Sequence, residues 1–474
     1  MKILMVASEG IPFSKTGGLA DVVYSLSKEE VKLGQEVAVV LPLYGVKLRS
    51  DYELKFLGTV SVPLGWRQQV ARVFTASVEG ITYYLIENEY YFGRDGIYGY
   101  YDDTERFAFF NIAIRNMISE FSLEFDLIHL HDWQPGMLPV IIREQNKREK
   151  LFKNIKFVLT IHNPAFQGMF EPSLVTEFYD LPLSLYENGQ LRFRDKASSL
   201  KAAIMYVDRI TTVSPTHAQE LLTREGSKGL DDVMVLRRDI FSGIVNGIDT
   251  EEFDPSQDPL IHKSYNVKTR KNKLANKIQL ATELGLKNPQ APLFGIVTRL
   301  TWQKGIDLFL SGARTALSRG ANVVALGSGE FGLEQQLEAL RREFPDQVAI
   351  YIGYHNKLAH QIYAAADFFM MPSLFEPCGI GQLIAMRYGA LPIVRRTGGL
   401  KDTVTLFDGH NLAEATGYGF DEYDTYWMNL TVNYALENYA QEAIHQRLVE
   451  NAMKYDVSWL KSAKAYLTLF KSIK

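Results

Sequence analysis

The segment Ser14–Val23, "SKTGGLADVV", follows the apolar run "KILMVAS" (residues 2–8) and precedes "YSLSKEEVKLG" (24–34). A strand, a glycine-rich turn carrying Lys15 and a helix in such quick succession read as the opening of a βα unit. The unpaired amide N–H groups at the start of the helix suit something anionic. The turn is not a Walker loop, because G-x-x-x-x-G-K-[ST] places its lysine after the glycines and here Lys15 precedes Gly17 and Gly18.

The same rhythm continues outward from this unit. β-rich runs at "VAVVLPL" (37–43), "YYLIEN" (83–88), "LIHLH" (127–131), "FVLTIH" (157–162) and "RITTVS" (209–214) alternate with helical patterns, as in a parallel sheet built from βαβ units. Residues 54–88 lack room for helices and read as an antiparallel insertion. In 195–208, Leu200, Ala203, Ile204 and Val207 share one helical face and are expected to pack on the sheet. The alternation stops from Gly247 to about Asn276, where the chain is rich in Asp, Pro and Lys; its basic run "KTRKNK" (268–273) reads as a solvated face. It restarts with "LFGIVTR" (293–299), "NVVALG" (322–327), "VAIYIG" (348–353), "FFMMPS" (368–373) and "LPIVRR" (391–396). The chain has 474 residues, beyond the roughly 250–300 at which a single core stops growing. Two doubly wound α/β domains are therefore expected, 1–243 and 244–455, with ligands beyond the carboxyl ends of the strands and a site between the domains.

Composition excludes several classes of partner. A formal charge of −4 gives no electrostatic footprint for nucleic acid or an anionic membrane, and no apolar run is long enough for a membrane span. A single cysteine rules out an internal disulfide, and the first residues lack the order of a signal peptide, which predicts a cytoplasmic protein.

The unusual residues gather at strand ends. "GSGEFG" (327–332) matches a dinucleotide fingerprint, but the next strand ends in Gly353, Tyr354 and His355 without the acidic ribose-binding residue; it reads as a tight βα turn. Arg299 ends one strand and Lys304 lies in the following loop, a planar fork and a compact ammonium that together suit a diphosphate. After "FFMMPS", Glu376 precedes Cys378, Gly379, Ile380 and Gly381 and a helical pattern, placing amides toward a ligand and a carboxylate where it suits sugar hydroxyls or a developing positive charge. No nearby histidine supports Cys378 as a nucleophile. In the first domain, "HLHDWQPG" sets His129, His131 and Asp132 at a strand end and "TIHNPAFQG" sets His162 and Asn163 at another. These histidines lack the further ligands of a zinc site and read as hydrogen-bonding groups for a polyol.

Together these fragments resemble the bacterial glycogen synthases and plant starch synthases, retaining glycosyltransferases of the GT-B fold. The likeness runs nearly end to end, through "KTGGLADV" (15–22), "HLHDWQPG" (129–136), "TIHNPAFQGMF" (160–170), "TVSPTHAQEL" (212–221), "GIVNGIDTEEFDP" (243–255), "TRLTWQKGIDL" (298–308), "FEPCGIGQL" (375–383), "YGALPIVRRTGGLKDTV" (388–404) and "MKYDVSWLKSA" (453–463). The resemblance implies two Rossmann-like domains facing each other across a deep cleft, with residues 456–474 crossing back onto the first. It implies ADP-glucose as donor, the non-reducing end of glycogen or another α-1,4-glucan as acceptor, and neither metal nor cofactor. Carried over by residue, Arg299 and Lys304 hold the ADP phosphates, Glu376 contacts the glucose hydroxyls, and His162 lies near the sugar 6-hydroxyl with Asp132 and Asn246 beside it. Lys15, Gly17, Gly18 and Asp21 cover the donor and the acceptor mouth. Tyr354 belongs to the base pocket, and Cys378, Gly379, Ile380 and Gly381 to the phosphate loop.

The chain departs from the family pattern at Gly381, which replaces a threonine, at Pro164 and Phe166 in "HNPAFQG", and at His217, commonly tyrosine. A UDP-glucose-using synthase and a catalytically silent glucan-binding protein are the competing readings. Retention of Lys15, Arg299, Lys304 and Glu376 speaks against the second. Oligomeric state is not legible in the sequence.

Overall fold

The structure, a computed structural model, describes residues 1–45, 52–146 and 148–473. The chain divides into two units, Met1–Ile244 with Ser462–Lys474, and Val245–Lys461. The last helix, Trp459–Lys471, begins in the second unit and continues in the first.

The first unit is built on a nine-stranded sheet. In spatial order its strands are Phe241–Gly243, Arg209–Thr212, Lys156–Ile161, Leu127–His131, Lys2–Val6, Glu36–Pro42, Ile81–Glu87, Arg67–Val78 and Lys55–Leu64. The first seven run parallel. Apolar side chains fill both faces of the central strands: Ile3, Leu4, Met5 and Val6 are all inaccessible to solvent, as parallel strands covered by helices require. Residues 54–88 form the expected antiparallel strands without helices, and these extend the same sheet. Arg67–Val78 and Lys55–Leu64 add antiparallel to the edge of the same sheet, while Ile81–Glu87 pairs parallel with Glu36–Pro42. The expected buried face of the 195–208 segment is present, with Leu200, Ala203, Ile204 and Val207 all buried.

Chain order reverses direction around Lys2–Val6, whose neighbours lead one way to Glu36–Pro42 and the other to Leu127–His131. Beyond the carboxyl ends of such a pair the loops diverge to opposite faces and leave a crevice. Glu9 and the glycine-rich turn follow one of these strands, and Asp132 follows the other.

The second unit repeats the plan in a six-stranded parallel sheet: Val348–Ile352, Asn322–Gly327, Leu293–Val297, Phe368–Met371, Leu391–Arg395 and Tyr418–Phe420. Its reversal falls between Leu293–Val297 and Phe368–Met371, the two strands followed by Arg299–Lys304 and by Ser373–Gly381. The run 268–273 is not wholly a solvated face: Lys273 is 9% exposed, and its ammonium donates to the carbonyls of Tyr363 and Ala364 at 3.0 Å each, closing the helix Asn356–Ala365. Burial pushes that amine down to about 7.

Candidate active site

In the first unit a buried carboxylate organises the glycine-rich turn. Glu9, 3% exposed, accepts through Oε2 from the Thr16 amide, the Thr16 hydroxyl at 3.0 Å and the Gly17 amide at 3.3 Å. Its Oε1 accepts from the Tyr98 hydroxyl at 3.3 Å, which lies 2.6 Å from Ser8 Oγ. A negative side chain thus sits at the start of the helix Gly18–Lys32, where the free amides favour it. The Gly17 amide is engaged by Glu9, whereas a Cβ built at Gly18 meets nothing within 4 Å. Lys15 pairs with Asp21 at 2.7 Å, both partly exposed, an ion pair worth at most about 1 kcal/mol.

Next to this turn lie the two His-bearing strand ends. Asp132 has a left-handed backbone (φ +58°), and its Oδ1 accepts the amides of His162 at 2.7 Å and Asn163 at 3.3 Å. Burial pushes its carboxyl up to about 7, against the pull of those two amides, with the Glu9 charge adding to the rise. His131 Nδ1 lies 3.0 Å from His162 Nε2 with the rings stacked, and His129 Nε2 lies 2.6 Å from Thr160 Oγ1. Burial lowers all three imidazoles, His129 to about 3 and His162 to about 4, so each is neutral at neutral pH. Tyr466 and Phe470 of the last helix pack against His129, ring centroids 5.3 and 5.5 Å away. Among the departures from the family pattern, Phe166 is largely exposed and His217 is buried, its Nδ1 3.1 Å from Glu220.

In the second unit the two loops at the sheet reversal are joined directly. Lys304 Nζ donates to Glu376 Oε2 at 2.7 Å, and Ser373 Oγ donates to the same oxygen at 3.0 Å. The Leu374 amide reaches the Gln303 carbonyl at 2.9 Å and Gln303 Nε2 the Phe375 carbonyl at 3.0 Å. Gly305, at φ +66°, ends the turn Trp302–Lys304; a Cβ there would lie 2.1 Å from the Pro372 carbonyl oxygen, so only glycine lets the loops approach this closely. Gly398, at φ +44°, performs the same service on the other side, where a Cβ would meet Glu376 O at 2.0 Å. Lys304 and Glu376 are mostly buried, with side chains 16% and 8% exposed. Arg299 is exposed and has no side-chain bond to a described residue, leaving its guanidinium open to a ligand.

The remaining sequence-derived candidates in this unit fall as follows. Asn246 is buried with Oδ1 unpartnered. Cys378 is buried and its thiol is pushed up to about 12, which leaves no thiolate for nucleophilic work. Ile380 is partly exposed and Gly381 opens the helix Gly381–Arg387. Tyr354 is 87% exposed, following the strand Val348–Ile352. In "GSGEFG" the first two glycines serve packing, since a Cβ at Gly327 would lie 1.9 Å from Thr298 O and one at Gly329 2.2 Å from Leu300 O, whereas a Cβ at Gly332 meets nothing within 4 Å; the Gly329 amide is taken by Glu334 at 2.9 Å. Among the described residues no cluster of three or more His, Cys, Asp or Glu side chains is arranged to hold a metal ion.

Sequence reasoning missed Glu9, Tyr98 and Ser373. Glu9 carried a signal, a carboxylate three residues past a strand end, but a glycine-rich turn reads as a place for a bound anion rather than for an acid of the chain itself.

Residues 2–235 match the starch synthase catalytic domain model, and residues 282–455 match glycosyl transferases group 1. The chain is 43% identical to the glycogen synthase of Clostridium beijerinckii, with 100% of this chain and 99% of the other covered, and 43% identical to that of Bacillus anthracis, with both covered in full. The catalytic domain of starch synthase IV from Arabidopsis thaliana, solved bound to ADP and acarbose, superposes with a TM-score of 0.90 at 32% identity, covering 99% of each chain. Sucrose-phosphate synthase from Thermosynechococcus elongatus shares the fold alone, with a TM-score of 0.62 at 16% identity over 100% and 98% of the two chains.

Proposed function

The chain belongs to the glycogen synthase family of GT-B glycosyltransferases, and from that premise we propose that it transfers glucose from ADP-glucose to the non-reducing end of an α-1,4-glucan with retention of configuration. The observation that carries this reading is the Lys304–Glu376 pair beside an open Arg299 at the strand reversal of the second unit. Lys304 gives one of its three ammonium donors to Glu376 and keeps others for phosphate oxygens; Arg299 adds a fork. Both side-chain bonds to Glu376 fall on Oε2, so Oε1 is free to accept from glucose hydroxyls.

The chemistry follows from where charge grows. As the bond from the anomeric carbon to the phosphate oxygen breaks, negative charge develops on ADP and positive charge on the sugar. Cations already fixed at the phosphates stabilise the first. The acceptor hydroxyl bonds the anomeric carbon on the same face and passes its proton to a leaving phosphate oxygen, so no protein base is required there. The support is the state of the first-unit groups: burial holds the Asp132 carboxyl up, toward its protonated form, with Oδ1 held by two amides, and lowers the His162 imidazole to about 4, which makes it a weak base. The reaction needs no metal and no cofactor. Work in the cytoplasm on glycogen is part of the same proposal; among the described residues no helix is long and apolar enough to cross a membrane.

Purified protein is offered radiolabelled ADP-glucose or UDP-glucose with glycogen, and the label in precipitated glucan is counted and then digested with β-amylase. Label from ADP-glucose, released by digestion, is expected. Incorporation from UDP-glucose alone, no incorporation, or a product resistant to β-amylase overturns the reading.

A further inference from the structure

We propose that His131 is a positioning residue that fixes the tautomer of His162, donating from Nδ1 to His162 Nε2 so that His162 carries its proton on Nδ1 as a donor toward the substrate. This deepens the reading above and rests on it for the identity of the substrate, not for the tautomer.

The tautomer follows from a proton count. His131 Nδ1 and His162 Nε2 are 3.0 Å apart, so one of them carries a proton and the other is bare. Both rings are neutral, because burial holds their basicity well below that of a free imidazole. If His162 were the donor, the proton of His131 would sit on Nε2. That atom is completely buried and has no hydrogen-bond partner, so it would become an orphaned N–H. Buried unpaired donors are rarer than under-used acceptor lone pairs. Placing the proton on His131 Nδ1 leaves only a bare lone pair at Nε2 and makes His162 Nε2 the acceptor.

A neighbouring pair repeats the pattern. His129 Nε2 lies 2.6 Å from Thr160 Oγ1 while its buried Nδ1 has no partner, so its proton belongs on Nε2. Thr160 Oγ1 then donates to Thr211 Oγ1 at 2.6 Å, and Thr211 Oγ1 reaches the Leu159 carbonyl at 3.4 Å. The chain of donors ends on an acceptor and holds the His129 ring, whose centroid lies 4.3 Å from that of His131 with the two rings tilted by 37°. His131 is therefore held on one side by packing and presents a fixed donor on the other. His162 Nδ1 has no described partner, and its ring is only half-buried. A proton there is available to a sugar oxygen. In the other tautomer the ring would turn a lone pair toward the substrate, which would accept from a hydroxyl rather than donate to a sugar oxygen.

The test reads the tautomer directly. In protein labelled with nitrogen-15 histidine, two-bond proton–nitrogen correlations at neutral pH distinguish protonated from bare ring nitrogens, with assignments from single-histidine variants. His162 is expected to show a protonated Nδ1 and a bare Nε2. His131→Leu removes the donor and is expected to lose that preference and lower kcat about tenfold, the worth of one hydrogen bond in the transition state, with KM for ADP-glucose nearly unchanged. His131→Asn, whose amide nitrogen stands near the place of Nδ1, is expected to keep both the tautomer and the rate within about threefold.

A wild-type His162 protonated at Nε2 overturns the proposal outright, and that measurement needs no variant to fold and no activity to be present. A folded His131→Leu protein with an unchanged His162 spectrum overturns it equally, as does a folded His131→Asn protein as slow as His131→Leu. Absence of transfer from ADP-glucose with the expected wild-type spectrum sinks the functional reading and leaves the tautomer assignment standing.

Discussion

Replacing Lys304 separates the structural from the catalytic work of the ion pair. Glu376 Oε2 is held by the ammonium at 2.7 Å and the Ser373 hydroxyl at 3.0 Å, in a side chain 8% exposed. Lys304→Ala strands that carboxylate with one neutral donor. Breaking a buried pair from one side costs about 3–5 kcal/mol, and the residual exposure of Lys304 places this case at about 3. Removing a fixed cation from the leaving group costs separately about 10²–10³-fold in kcat. The double variant Lys304→Ala/Glu376→Gln tells the effects apart, because it removes the stranded charge as well. Urea unfolding is expected to show about half or more of the lost stability restored in the double variant, while label transfer from ADP-glucose to glycogen stays at least about 10²-fold below wild type. Recovery of turnover along with stability would mean that Lys304 only shapes the loop, and the account of leaving-group stabilisation would be wrong. An unchanged kcat in folded Lys304→Ala would refute it more simply.

Four further outcomes follow from the buried groups. The depressed His129 imidazole, about 3 in the fold against 6.5 for a free ring, must gain a proton on unfolding in acid, so its contribution is fully present above 6.5 and lost as pH falls toward 3; by linkage this is about 2 kcal/mol at pH 5, and His129→Phe should lose that much less between pH 7.5 and pH 5 in chemical denaturation. Asp132 acts with the opposite sign, since a carboxyl raised to about 7 loses stability as pH climbs from about 4 to 7; Asp132→Asn should therefore acid-denature more steeply than wild type. Glu9→Ala removes the acceptor of the Thr16 and Gly17 amides, and hydrogen exchange at those two positions should quicken about tenfold or more while exchange in the strand Lys2–Val6 is unchanged. In the folded protein Cys378 should resist iodoacetamide at pH 8, and Cys378→Ser should keep kcat within about threefold.

What the sequence made legible was the repeating βα rhythm and the residues parked at its strand ends, because alternation of apolar runs and turns is a local signal. Lys304 and Glu376 were found this way although they lie 72 positions apart, since each follows its own strand. Pairings across the crevice were not local. Glu9 was overlooked because its partner Tyr98 is 89 residues away and because an acid in a suspected anion loop looks out of place until it is seen binding the loop's own amides. Ile81–Glu87 carried two readings, one of the β-rich runs of the parallel sheet and an arm of the antiparallel segment 54–88, and both hold, because it pairs parallel with Glu36–Pro42 on one side and antiparallel with Arg67–Val78 on the other. Lys273 was read as solvated because a basic run usually is; the carbonyls at the end of Asn356–Ala365 that hold it lie about 90 residues downstream.

The first unit's strand-end groups also bear on whether the reaction passes through a covalent intermediate. A carboxylate nucleophile must be ionised and have a free oxygen in line with the anomeric carbon. Asp132 fails the first condition: its carboxyl is held up near 7 by burial, and with Oδ1 fixed by the amides of His162 and Asn163 only Oδ2 is left to attack. Glu376 shares Oε2 with Lys304 and Ser373, so ionic attraction to Lys304 opposes its attack on the sugar. The proposed same-face displacement avoids both difficulties, because its base would be the departing phosphate, held by Arg299 and Lys304. Rapid quenching of the enzyme with a slow fluorinated ADP-glucose analogue, followed by peptide mass spectrometry, should recover no glucosyl adduct on either carboxylate. A stoichiometric adduct on Asp132 or Glu376 that turns over when glycogen is added would show instead that retention is achieved by two successive inversions.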